Sequence, residues 1–126
     1  MAFAAGTPIH IVATTISAAR AALTTAATMA KALDSRMHVI AAGPRSGEPH
    51  RLAHEILRQR EAASTRVDVL PCACRRLLDV VQLLAPGSIV VVGGRLRWLW
   101  PTAEQRLVQA LTARGCHVLF VSGESR

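Results

Sequence analysis

The chain alternates between short apolar runs and longer segments in which apolar residues recur every three or four positions. The apolar runs, rich in β-branched residues, predict five strands at residues 9–14, 36–43, 65–71, 88–94 and 116–121. The segments between them predict four helices at residues 17–33, 49–63, 73–84 and 102–114. Strands that alternate regularly with helices are typical of an open parallel sheet with helices on both faces.

Local signals place several ends of these elements. Ser17 is a candidate N-cap for the first helix. Thr102 and Gln105 have the spacing of a capping box at the start of the last helix, and Gly115 stands where a C′ glycine belongs. The third strand alternates polar and apolar residues, as an edge strand does, and we expect Pro71 to end it.

We therefore predict one α/β domain over residues 1–126. Its expected architecture is a five-stranded parallel sheet in the order 3-2-1-4-5 with two helices on each face, a Rossmann-like arrangement. A chain of 126 residues, half of them hydrophobic, can build such a core without disulfides or a structural metal.

The net charge is +7, and all but one of the 15 basic residues are arginine. A basic surface favours anions, nucleic acid among them. The arginines are scattered rather than clustered, so we favour a role in solubility over nucleic-acid binding, which stays an alternative. Three unpatterned cysteines, no signal peptide and no bilayer-spanning stretch lead us to expect a cytoplasmic protein that does not enter a membrane.

Open α/β sheets bind ligands beyond the carboxyl ends of their strands, where the strand order reverses. The turns in question are "ATTIS" (13–17) and "GGRLRWLWPT" (93–102). Glycines in such a turn allow close backbone approach to phosphate, and arginine binds phosphate in a bidentate manner. A ligand there would be held by residues of both turns: Thr14, Thr15, Gly93, Gly94, Arg95, Arg97 and Thr102.

At these positions the chain resembles the universal stress proteins. "VATTIS" (12–17) is similar to their V-A-x-D-x-S pattern, with Thr15 in the place of the aspartate. "VVVGGRLR" (90–97) resembles their I-V-V-G-x-R-G-R, and "TAEQRLVQA" with "CHVLFV" resembles their last helix and strand. The resemblance covers nearly the whole chain. It implies a fold similar to that of the adenine-nucleotide alpha hydrolases, and a stress-response or regulatory protein that pairs through its last strand.

The nucleotide signature of that family, G-x2-G-x9-G-[S/T], is degenerate here. Gly93 matches its first glycine, Leu96 replaces the second, and Pro101-Thr102 stand near its end after a shortened spacer. A leucine side chain projects into the space a glycine leaves open, and proline has no N–H to donate. We expect ATP binding in the usual pose to be lost, with Trp98 and Trp100 filling the loop or serving a ligand or partner.

Other candidate chemistry is weak. Cys72 and Cys74 lack a second pair, and His50 and His54 lack a third ligand, so we predict no metal site and no cofactor. We find no nucleophile–base pair and expect no enzyme.

The preferred hypothesis is a non-catalytic universal-stress-type module. It would act as a homodimer through residues Cys116 to Val121, or through an unknown protein partner. The alternatives are a nucleotide- or phosphate-binding protein using the turn after strand four, and a basic protein associated with nucleic acid.

Overall fold

The computed structural model describes residues 8–43, 48–60, 67–73, 76–94 and 102–122. The strands are β1 Ile9–Ala13, β2 Met37–Gly43, β3 Val67–Ala73, β4 Ile89–Gly94 and β5 His117–Ser122. The helices are α1 Ile16–Leu33, α2 Glu48–Arg60 and α3 Ala103–Ala113, with a 3₁₀ helix at Leu77–Leu83 between β3 and β4.

The five strands form one sheet in the order β3-β2-β1-β4-β5, and every neighbouring pair is parallel. The predicted topology is therefore confirmed. β1 and β4 lie side by side at the centre, which is where the strand order reverses. Their carboxyl ends, at Ala13 and Gly94, border the crevice in which this class of sheet binds ligands.

Each face of the sheet has its own core because successive side chains of a strand point to opposite faces. Ile9, Ile11 and Val91 face α1 and α2. Val90 and Val92 face the 3₁₀ helix and α3. The strand β4 is buried along its whole length, as expected for a central strand of a parallel sheet. Two helical segments cover each face, as predicted.

The first helix lies close on the sheet because its buried face is built from alanine, at positions Ala18, Ala19, Ala22, Ala26 and Ala30. The predicted N-cap Ser17 is wrong. Thr15 caps the helix instead: its backbone is extended, and its side-chain oxygen accepts a hydrogen bond from the Ala18 N–H at 3.2 Å. The helix therefore begins at Ile16, one residue earlier than a cap at Ser17 would allow.

The third predicted helix is also corrected. β3 continues through Pro71 to Ala73, where we expected the proline to end it. An edge strand tolerates proline because one side of its backbone needs no ladder partner. The strand thereby takes Ala73, the first residue of the predicted α-helix. The segment that remains before the turn at Gly87 forms a 3₁₀ helix whose Leu77 and Val80, three residues apart, are buried.

The end of the chain matches the prediction. Thr102 accepts a hydrogen bond from the Gln105 N–H at 3.2 Å, and the Gln105 side chain accepts one from the Thr102 N–H at 2.7 Å. This is the capping box. Gly115, with φ of 93°, follows α3 in the left-handed conformation that a C′ glycine adopts. No helix among the described ranges is long and apolar enough to cross a membrane.

Candidate functional site

The crevice at the carboxyl ends of β1 and β4 brings together three of the predicted segments. Thr14 and Thr15 follow β1, Gly93 and Gly94 end β4, and Thr102 caps α3. Arg95 and Arg97 lie outside the described residues, as do Leu96, Trp98, Trp100 and Pro101. The start of α3 borders the crevice, and the N-terminus of a helix carries a partial positive charge that favours an anion.

A carboxylate of the protein itself already lies at the start of α3. Glu104, in the first turn of α3, accepts a hydrogen bond from the Thr14 hydroxyl at 3.1 Å. The two residues are 90 positions apart in sequence, so the bond ties the end of β1 to the start of α3 across the crevice. Both side chains are half-buried. A hydrogen bond to a charged acceptor is stronger than one between neutral groups.

The stem of the same glutamate covers Gly94. A Cβ atom added at Gly94 would lie 2.6 Å from Glu104 Cγ and 2.7 Å from its Cβ. A glycine is required there because the side chain from α3 lies directly against the backbone of β4. The space that glycine opens is therefore filled by the protein's own atoms.

Gly93 serves packing on the other face of the sheet. A Cβ at this position would overlap the carbonyl oxygen of Ala18 and lie 2.9 Å from its carbonyl carbon. The glycine thus allows the first turn of α1 to approach the end of β4. Both glycines of the turn meet neighbouring helices, Gly93 meeting α1 and Gly94 meeting α3.

The Thr15 side chain makes its hydrogen bonds within the start of α1. Its hydroxyl caps α1 and lies 3.5 Å from the Ser17 hydroxyl, and its side chain is exposed. A carboxylate at this position would have offered a ligand two acceptor oxygens. The single hydroxyl of Thr15 instead accepts from the helix that it starts.

Sequence reasoning missed Glu104, which is the residue that joins the two turns. The sequence contains a signal for this residue. An acidic side chain in the first turn of a helix is stabilised by the helix dipole, and this helix follows the central strand at the edge of the crevice. The capping box of Thr102 and Gln105 explains the start of the helix by itself, so the sequence pattern does not single out Glu104.

The strand histidines lie at the opposite end of the sheet. His10 and His38 are paired in register near the amino ends of β1 and β2, with their rings 5.6 Å apart, and Asp68 is next along the row. His38 Nδ1 lies 3.9 Å from an Asp68 carboxylate oxygen. Burial, and then the nearby His38, lower the pKa of His10. These three residues line a cavity of about 440 Å³ together with Leu70 and Leu83.

Other candidates are not brought together. His50 and His54 are exposed on α2, and Cys72 lies on β3, while Cys74 is outside the described residues. Within the described ranges, no group of three histidine, cysteine, aspartate or glutamate residues could hold a metal ion. Among the described residues, arginines lie on helices of both faces of the sheet. Arg58 pairs with Glu55 on α2, and the Arg114 guanidinium donates to the carbonyl of Leu84.

Comparisons with known proteins agree on the fold. A universal stress protein crystallised in complex with cAMP is similar over 96% of this chain and 100% of its own, with 18% identity and a TM-score of 0.65. Two structures of the universal stress protein from Archaeoglobus fulgidus are also similar. The one in complex with dAMP has 12% identity and a TM-score of 0.63, and covers 93% of this chain and 98% of its own. The other has 14% identity and a TM-score of 0.65, and covers 90% and 92%.

No family model matches the chain, and no curated protein matches it. The structural similarity is nevertheless nearly complete in length on both sides. The chain has the Rossmann-like α/β fold of the universal stress proteins.

Proposed function

We propose that this protein is a universal-stress-type regulatory module that acts as a homodimer, catalyses no reaction and does not hold ATP in the crevice at the ends of β1 and β4. The observation that carries the proposal is the packing of Gly93 and Gly94 against neighbouring helices. In the described structure these glycines pack against α1 and the Glu104 stem, so their open sides do not face a ligand.

A triphosphate needs exposed backbone N–H groups and room to lie against them. Here a Thr14–Glu104 hydrogen bond spans the same region. Among the described residues, the crevice presents hydroxyls, glycines and one carboxylate. The strand histidines, which would be the natural general bases, are at the amino ends of β1, β2 and β5, across the sheet from the crevice.

The last strand supports the homodimer. β5 is at the edge of the sheet, and its Leu119 is 43% exposed. An apolar edge strand presents a row of backbone hydrogen-bonding groups to a second chain. A pair joined edge to edge through β5 would extend the sheet and cover Leu119 in both protomers.

Two substitutions test the dimer. Leu119→Lys places a charge on the proposed contact, and Leu57→Lys places the same charge on a leucine of α2 that is 39% exposed. Light scattering after size exclusion should give a dimer for the wild type and for Leu57→Lys, and a monomer for Leu119→Lys. A wild-type monomer, or equal behaviour of the two variants, would contradict pairing through β5.

A thermal-shift titration with ATP and Mg²⁺ tests the nucleotide part. We expect no stabilisation at concentrations that saturate ordinary nucleotide sites. A clear stabilisation that is lost on Arg95→Ala would contradict the proposal.

A second candidate is a binder of nucleoside monophosphates or small anions. It is favoured by the start of α3 facing the crevice and by the two similar structures that contain cAMP and dAMP. Thr14, Thr15, Gly93, Gly94, Arg95, Arg97 and Thr102 would then hold the ligand. Stabilisation by AMP in the same titration, or AMP retained through purification, would favour this candidate. An intact dimer that retains no nucleotide and is not stabilised by added AMP would contradict it.

A further inference from the structure

We infer that the negative charge of Glu104, rather than its bulk, keeps phosphate-bearing ligands out of the crevice. This inference rests on the proposed function, because it explains why a universal-stress-type crevice would take no nucleotide. Glu104 is then a specificity-determining residue, because its carboxylate takes the place at the start of α3 that a bound anion would otherwise take.

The Glu104 carboxylate lies where β1 and α3 meet. Its oxygen is 3.1 Å from the Thr14 hydroxyl, so it lies between the carboxyl end of β1 and the first turn of α3. That is the meeting point of the strand-order reversal and a helix N-terminus, the two features that attract phosphate in open α/β sheets. A helix of eleven residues has a dipole large enough to favour one anion there, and Glu104 supplies it.

Among the described residues, no basic side chain forms an ion pair with Glu104. Its described neighbours include the neutral hydroxyl of Thr14 and the backbone of Gly94. A phosphate entering beside it would bring like charges within a few ångströms of each other in a half-buried setting, where Coulomb repulsion is only partly screened. Such repulsion weakens binding whether or not the ligand fits.

Two substitutions of Glu104 distinguish the effect of its charge from the effect of its bulk. Glu104→Gln keeps the stem over Gly94 and an amide oxygen that can accept from Thr14, but removes the charge. Glu104→Ala removes both the charge and the stem. Glu55→Gln, on the exposed surface of α2, is the matched control for the loss of one negative charge.

The experiment is isothermal titration of each variant with inorganic phosphate and with AMP, after its folding has been checked by circular dichroism. We expect Glu104→Gln and Glu104→Ala to bind both probes at least tenfold more tightly than the wild type. Glu55→Gln should bind no better than the wild type. A tenfold gain is the size expected when one partly screened repulsion is removed.

Two results would overturn the inference. If Glu104→Ala gains affinity but Glu104→Gln does not, the stem rather than the charge excludes the ligand. If neither variant gains affinity, the crevice does not attract phosphate at all. Both results leave the proposed function standing. Tight ATP binding by the wild type would contradict the proposed function itself, so the two failures are distinguishable.

Discussion

The contact between Gly93 and α1 gives a sharp prediction about stability. In Gly93→Ala the new methyl group would overlap the Ala18 carbonyl oxygen and lie 2.9 Å from the carbonyl carbon and 3.2 Å from the Ala18 Cβ. These are mostly backbone atoms, so no side-chain rotation can relieve the overlap. Either the first turn of α1 or the end of β4 must move, and both are buried in the same core.

Overpacking of a core typically costs about 1–3 kcal/mol. Because the overlap is with backbone, we expect the upper end of that range, about 3 kcal/mol. In a domain of this size such a loss lowers the melting temperature by roughly 12 °C. Thermal unfolding followed by circular dichroism, with urea unfolding to check the free energy, measures the effect.

Gly94→Ala is the matched comparison. Its methyl group would lie 2.6 Å from Glu104 Cγ and 2.7 Å from Glu104 Cβ. The Cγ can rotate away at the cost of its carboxylate's bond to Thr14, but the Cβ moves only with the half-buried first turn of α3. The expected loss is in the middle of the overpacking range, about 2 kcal/mol. A fall in melting temperature for Gly93→Ala that is no larger than for Gly94→Ala would refute the packing argument.

Three further outcomes follow from the same structure. Leu107→Ala empties a fully buried position of α3 and should cost about 2–5 kcal/mol in urea unfolding, whereas the exposed Leu83→Ala should cost well under 1 kcal/mol. Thr102→Ala removes the capping box and should cost about 1 kcal/mol, with Thr112→Ala on the exposed end of α3 as its control. Because burial lowers the pKa of His10, the unfolded chain takes up the proton more readily, so the free energy of unfolding should fall as the pH drops below 6.5. His10→Gln should flatten that fall, and an unchanged pH profile would contradict the assignment.

Much of the fold could be predicted from the sequence because each element carries a strong periodic signal. The apolar run of β4 and the alanine stripe of α1 fixed their type, and the strand–helix alternation fixed the topology. The segment after Pro71 could not be predicted in the same way. Pairing with β2 extends the strand over residues 71–73. The leucines and valines that follow suit either a helix or a strand.

The site was harder to predict than the fold. Sequence reasoning brought the turns after β1 and β4 to one crevice, which follows from the topology alone. It did not identify the Thr14–Glu104 contact, because a hydrogen bond between residues 90 positions apart depends on how α3 is placed over the strand ends. It also gave Gly93 and Gly94 a role toward a ligand, since glycine that permits phosphate approach and glycine that permits helix packing look the same in a sequence.

Native mass spectrometry of the purified protein mixed with ATP and Mg²⁺ reports the number of subunits and the bound nucleotide in one spectrum. We expect a dimer whose mass contains no nucleotide, both before and after ATP is added. A species that carries one ATP per protomer would contradict this expectation.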